Sequence, residues 1–173
     1  LFKETVDTLT LTATPIPRTL QLSFLGLKDL SIIKTAPPGR QSIKSYVVKE
    51  DFNTIKMAID KELSRGGQIF IVHNKVSDIE IFTAKIRQLC PKANIIYAHG
   101  QMSERELEKR IADFYKHKHD VLISTTIIES GIDIPNANTM IIDRADNYGL
   151  SQLHQLRGRI GRSHRKAYAY FVI

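Results

Sequence analysis

The chain has 173 residues, 42% of them hydrophobic and 25% charged, a composition that supports one well-cored domain and excludes a disordered or fibrous chain. Lysine and arginine outnumber aspartate and glutamate by 25 to 18, and the resulting formal charge of +7 favours a polyanionic partner without requiring one. A single cysteine, Cys90, rules out an internal disulfide and a cysteine-built zinc site; with apolar runs too short to span a bilayer and no signal-peptide layout, the expected setting is cytoplasmic.

From the N-terminus, TLTLT at 8–12 reads as a strand, followed by TATPIPRT at 12–19, where Thr14 can cap a helix begun by Pro15 or Pro17. Residues 35–42, TAPPGRQS, gather proline, glycine and polar residues as a domain linker does. The chain is therefore divided near Pro38, leaving a first segment too short to fold alone. Beyond it, strands are expected at 43–48, 68–72, 94–97, 120–124, 139–143 and 167–172, several apolar throughout as in a buried parallel sheet.

Helices alternate with them. Residues 51–65 place Phe52, Ile55, Ile59 and Leu63 on one face, and Gly66-Gly67 ends the helix. Ser77 with Glu80, and Ser103 with Glu106, have the spacing of capping boxes. The helices they open carry core stripes at Ile79, Phe82, Ile86 and Leu89, and at Leu107, Ile111 and Phe114. Alternating strands and helices predict a three-layer αβα fold around a mostly parallel sheet, with functional loops at the strand C-termini.

The residues that bear chemistry gather in the predicted connections. QLRGRIGR at 155–162 places Arg159 and Arg162 about one helical turn apart, and Gly158 and Gly161 remove bulk where the backbone approaches another surface. Guanidinium groups on one face suit bidentate contact with phosphate, either to neutralise charge in phosphoryl transfer or to hold a nucleic-acid backbone with His164, Arg165 and Lys166. STTIIESGIDIP at 124–135 sets the Thr125 and Thr126 hydroxyls at a strand end; Gly131 permits close approach, and Asp133 either accepts hydrogen bonds from a ribose or caps a turn. His99-Gly100-Gln101-Met102 leads into a helix N-terminus, which favours anions, and Asn74 and Lys75 leave another strand. His117 and His119 lack the further ligands of a metal site and read as a solvated loop.

In order, TATPIPRT, IFIVHNKV (69–76), AHGQM (98–102), STTIIESGIDIP and QLRGRIGR resemble motifs III, IV, IVa, V and VI of superfamily 2 helicases. AHGQM, IIESGIDIPNANT (127–139) and GRSHRKAYAYF (161–171) look most like the transcription-repair coupling factor (Mfd) family, with the RecG family next; Ser130 stands where the former more often has threonine. This resemblance implies two RecA-like lobes closing on ATP, residues 1–37 being the end of the first lobe with its linker and 38–173 the second lobe. It implies a catalytic role for Arg159 and Arg162, and nucleotide contacts from Gly131, Asp133, Gln155 and the two arginines. It implies DNA contacts from Asn74, His99, Gly100, Gln101, Thr125 and Thr126, and coupling between lobes by Thr12, Thr14 and Arg18.

No GxxxxGK(S/T) loop occurs in these residues, so ATP and Mg2+ are expected to be bound mainly by the first lobe, and this chain is expected to be inactive alone. The implied partners are double-stranded DNA and, through regions outside this chain, RNA polymerase and the excision-repair protein UvrA. Two alternatives stay open: RecG-like branch migration, and a non-catalytic nucleic-acid-binding module. A dinucleotide-binding enzyme is disfavoured, because no GxGxxG follows a strand.

Overall fold

Six short apolar runs become strands of one sheet: β1 (Lys44–Val48), β2 (Gln68–Val72), β3 (Ile95–Ala98), β4 (Val121–Ser124), β5 (Ala137–Ile142) and β6 (Tyr168–Val172). They are seen in a computed structural model that describes residues 31, 42–125 and 136–173. The chain divides into two compact units, Leu1–Ala36 and Pro37–Ile173, and the elements named here belong to the second. The expected strand at 8–12, the TATPIPRT motif with Thr12, Thr14 and Arg18, and the residues Thr126, Gly131 and Asp133 lie outside the described residues.

The strand order is β1-β6-β5-β2-β4-β3, and every adjacent pair is parallel. Parallel neighbours need long crossovers. Helices α1 (Phe52–Ser64), α2 (Ile79–Leu89), α3 (Glu104–Tyr115) and α4 (Leu150–Arg157) lie in them. The expected αβα architecture is what forms, and strand alternation builds it. On β2, Phe70 and Val72 join a core with Phe114 of α3 and Leu156 of α4, while Ile69 and Ile71 join another with Ile55 and Ile59 of α1 and Ile79, Phe82 and Ile86 of α2. Both faces of β2 are thus covered, and all five of its residues are buried.

Local signals account for several helix ends. The Asp51 carboxylate accepts the Asn53 N–H at 2.9 Å to start α1, and Gly66 at φ +67° turns the chain out of it. Ser103 Oγ accepts the Glu106 N–H at 3.3 Å, but the Glu106 carboxylate takes Arg110 at 2.7 Å, so only half of that capping box forms. The Ser77–Glu80 box does not form. Helix α2 begins at Ile79 with Asp78 in the cap position, and Asp78 makes no cap hydrogen bond because its carboxylate is held by His73, 2.9 Å away.

At the strand starts, Glu62 of α1 is 1% exposed and would be costly as an isolated buried carboxylate. Thr139 Oγ1 donates to it at 2.5 Å, and the Arg65 guanidinium pairs with it. Gln68 Nε2 donates to the carbonyls of Phe114 (2.7 Å) and His119 (2.8 Å), tying α3 to this end of the sheet.

Candidate nucleic-acid and nucleotide interface

The order β2-β4-β3 aligns three connections that are distant in sequence. Val72, Ser124 and Ala98, the last residues of these strands, are in register across the sheet. Asn74, Thr125 and the His99-Gly100-Gln101 turn therefore fall along one edge, as a parallel sheet places its loops. Asn74, Gly100 and Gln101 are exposed, His99 is half-buried and Thr125 is buried. The His73 N–H donates to the Ser124 carbonyl at 2.9 Å and the Met102 N–H to the His99 carbonyl at 3.1 Å, so this edge is tied by backbone bonds. The His99 ring stacks at 18° to Tyr97 with centroids 6.0 Å apart, and Arg110 lies over the other partner of that pair, 4.5 Å from the Tyr97 centroid.

The arginine pair has a different setting. Helix α4 ends at Arg157, and Arg159 and Ile160 continue it for only one tighter turn, through N–H bonds to Leu156 (2.9 Å) and Arg157 (3.4 Å). Ile160 is fully buried in the core with Leu156 and Ala167. Gly161 then adopts φ +73°, so the helical path does not continue to Arg162. Arg159 is half-buried and Arg162 exposed; Gln155 is exposed on α4. The two arginines are thus placed by a helix end and a left-handed glycine, which corrects the expected spacing of one continuous helical turn.

Gly161 is small for the sake of its own lobe. A Cβ there would lie 3.1 Å from Ala167 Cβ and 3.1 Å from Ile43 Cγ1, so the bulk it omits would meet this lobe's own side chains. Gly161→Ala is expected to destabilise the fold by about 2–3 kcal/mol, from the left-handed backbone and the tight contact together. The check is the midpoint shift on urea denaturation, with Gly158→Ala, at φ −67°, as the milder comparison.

Beyond Arg162 the chain is fastened at the strand-start end of the sheet. Ser163 Oγ donates to Asn138 Oδ1 of β5 at 2.7 Å, and Arg165 Nη1 donates to the Arg65 carbonyl at 2.8 Å. Arg165 therefore spends part of its hydrogen-bonding capacity inside the fold. The sequence-derived residues fall into two groups: a polar strand-end edge at Asn74, Thr125 and His99–Gln101, and the turn of Arg159 and Arg162.

Sequence reasoning missed His73, Asp78 and Asp143, which meet at the strand ends, His73 and Asp143 buried and Asp78 half-exposed. His73 is 7% exposed; its Nδ1 is 2.8 Å from Asp143 Oδ2 and its Nε2 2.9 Å from Asp78 Oδ1. The signal was a histidine at the end of an apolar strand, which by itself does not name its partners. Among the described residues no group of three or more His, Cys, Asp or Glu is arranged to hold a metal ion, and no helix is long and apolar enough to cross a membrane. His117 sits in a positive-φ turn with Nδ1 3.1 Å from Asn136 Nδ2.

The residues thus form a parallel αβα lobe with polar loops along its strand ends and an arginine-bearing turn after its last helix. Residues 51–164 match the helicase conserved C-terminal domain, and the chain belongs to that family. Within it, the chain is similar to the transcription-repair-coupling factor of Staphylococcus epidermidis (strain ATCC 35984), 55% identical over 170 residues, covering 98% of this chain and 14% of that protein. The transcription-repair-coupling factor of Staphylococcus aureus (strain NCTC 8325) is 54% identical over the same length, and 15% of it is covered. The resemblance read from the ordered motifs is borne out. The chain spans about a seventh of the length of these relatives. Among solved structures, RecG bound to a three-way DNA junction superposes with a TM-score of 0.76 at 36% identity, covering 93% of this chain and 22% of that one. Dbp5 of S. cerevisiae bound to RNA and ADP BeF3 shares the fold alone, at a TM-score of 0.65, 19% identity, and coverage of 94% of this chain and 44% of that one.

Proposed function

We propose that this chain is the second motor lobe of an ATP-dependent double-stranded DNA translocase of transcription-coupled repair, a cytoplasmic protein that displaces stalled RNA polymerase and recruits UvrA through regions outside this chain. The observation that carries the reading is the 55% identity over 98% of the chain to a transcription-repair-coupling factor. The exposed Asn74, Gly100 and Gln101, with Thr125 and His99 beside them, offer donors to a DNA backbone; phosphate contacts of this kind hold register without reading sequence. Thr126 belongs to the same contact.

Arg159 and Arg162 reach toward ATP held by the first lobe, of which residues 1–37 are the end; Gln155, Gly131 and Asp133 complete this lobe's share of the nucleotide site. An exposed guanidinium past a rigid glycine turn suits a phosphate. Mg2+ and the phosphate loop belong to the first lobe, so residues 38–173 do not hydrolyse ATP alone. Thr12, Thr14 and Arg18 couple the two lobes.

The test uses the intact protein and an RNA polymerase stalled on duplex DNA. ATP-dependent release of the polymerase is the expected result, and ATP-dependent remodelling of a forked DNA without release would replace this reading with a RecG-like one. That second reading has the RecG superposition, at a TM-score of 0.76, in its favour.

A further inference from the structure

His73 joins parts of the lobe that are otherwise separate. It follows β2 directly, and the loop from it to Asp78 contains Asn74. Its ring stacks on Phe82 of α2 at a centroid distance of 4.4 Å and an angle of 16°. Asp78 sits at the start of α2; Asp143 follows β5, and its N–H donates to the Val72 carbonyl at 2.9 Å. After Asp143 comes Arg144, in the left-handed region at φ 49°, then a 3-10 turn at Ala145–Asn147, then α4 and the arginine turn. One side chain thus fastens the Asn74 loop to the beginning of the segment that ends at Arg159 and Arg162.

The chemistry of the cluster makes that fastening conditional. Carboxylates only accept hydrogen bonds, so a ring nitrogen bonded to each of two carboxylates needs a proton on both. Burial works against the charged ring, yet the hydrogen bonds to Asp143 and Asp78 outweigh it and raise the His73 pKa above the ordinary histidine value. The Asp78 carboxyl is lowered, chiefly by its bond to His73, with Lys75 adding a smaller attraction. Among the described residues, Asp143, Asp78 and Lys75 are the charged groups that act on this cluster.

We propose that His73 is a positioning residue that couples DNA contact at the strand-end loop to the arginine turn. This rests on the motor function proposed above. The doubly bonded imidazolium holds the Asn74 loop and the Asp143–Asn147 turn in one arrangement. Once one ring nitrogen loses its proton it faces a carboxylate without a hydrogen, and one of the two ties is released. For a raised pKa the tie is complete below the ordinary histidine value and is lost as the pH rises through the folded-state value.

The experiment measures ATP hydrolysis by the intact protein with and without duplex DNA, from about pH 6 to about pH 9. In the native protein the ratio of DNA-stimulated to basal rate should fall as the pH rises. His73→Gln should lower that ratio about tenfold at the acid end, within the usual range of coupling between sites, leave the basal rate unchanged, and give a flat pH profile. Asp143→Asn removes one carboxylate and should move the fall to lower pH, which keeps the test decisive if His73→Gln does not fold. A native ratio that does not vary with pH, or variants that lower basal and stimulated rates in the same proportion, would overturn the proposal. A native protein with no DNA stimulation at all would overturn the motor reading itself, and this inference with it.

Discussion

Arg162→Ala in the intact protein is expected to lower DNA-stimulated ATP turnover about 10³-fold, at the lower end of the ~10³–10⁵ that a positioned arginine contributes to phosphoryl transfer. Arg162 is exposed and follows the Gly161 turn, which is pinned by Ile43, Ala167 and the buried Ile160 beside it. Its guanidinium is therefore carried by a rigid support, as a group must be to meet charge that develops only in the transition state. The proposed contact is one that strengthens in the transition state, so kcat is expected to fall while nucleotide affinity changes by less than about tenfold. Arg162→Lys should recover little, since an ammonium cannot reproduce the planar fork. Steady-state hydrolysis with saturating DNA, paired with fluorescent-nucleotide binding, checks both halves. Turnover close to that of the native protein would remove Arg162 from the catalytic role, and a matching loss of nucleotide binding would make it a binding residue.

Phe70→Ala costs about 3–5 kcal/mol of folding stability, the usual loss for truncating a buried phenylalanine. Phe70 is fully buried on β2, which pairs with β4 on one side and β5 on the other, and its ring meets Phe114 of α3 at a centroid distance of 5.4 Å and an angle of 51°. Truncation leaves a cavity between the sheet and α3, and loses an aromatic pair that adds about 0.5–1.5 kcal/mol beyond area burial. With domain stabilities of about 5–15 kcal/mol, much of the lobe's margin disappears. Urea denaturation measures it, with Phe70→Leu as the milder variant. A loss below about 1 kcal/mol would mean that the two layers do not pack through this pair.

Much of the fold was legible because it rests on local patterns. The apolar run at 68–72 is β2 residue for residue, and the periodicity of Ile55 and Ile59 is that of α1. The β5 boundary moved from 139 to 137 because Ala137 and Asn138 are buried at the strand start, and Asn138 looks polar until Ser163 is seen to bond it. Ser77 and Glu80 had the right spacing for a capping box, but His73 drew Asp78 into a bond that no spacing rule weighs.

By itself the sequence determined the αβα class, the parallel sheet, the family, and which loops lie at strand ends, since each depends on hydrophobic period, turn chemistry or ordered motifs within short windows. Tertiary structure alone decided that Asn74, Thr125 and His99–Gln101 share an edge, because that needs the order β2-β4-β3. It also decided that Arg159 and Arg162 are set by a left-handed glycine packed on Ile43, and that the His73 ring lies between the carboxylates of Asp78 and Asp143. Ile43 and Gly161, and His73 and Asp143, are far apart in the chain. Asp143 is 70 residues from His73, and it is burial that turns such a meeting into a strong and specific interaction.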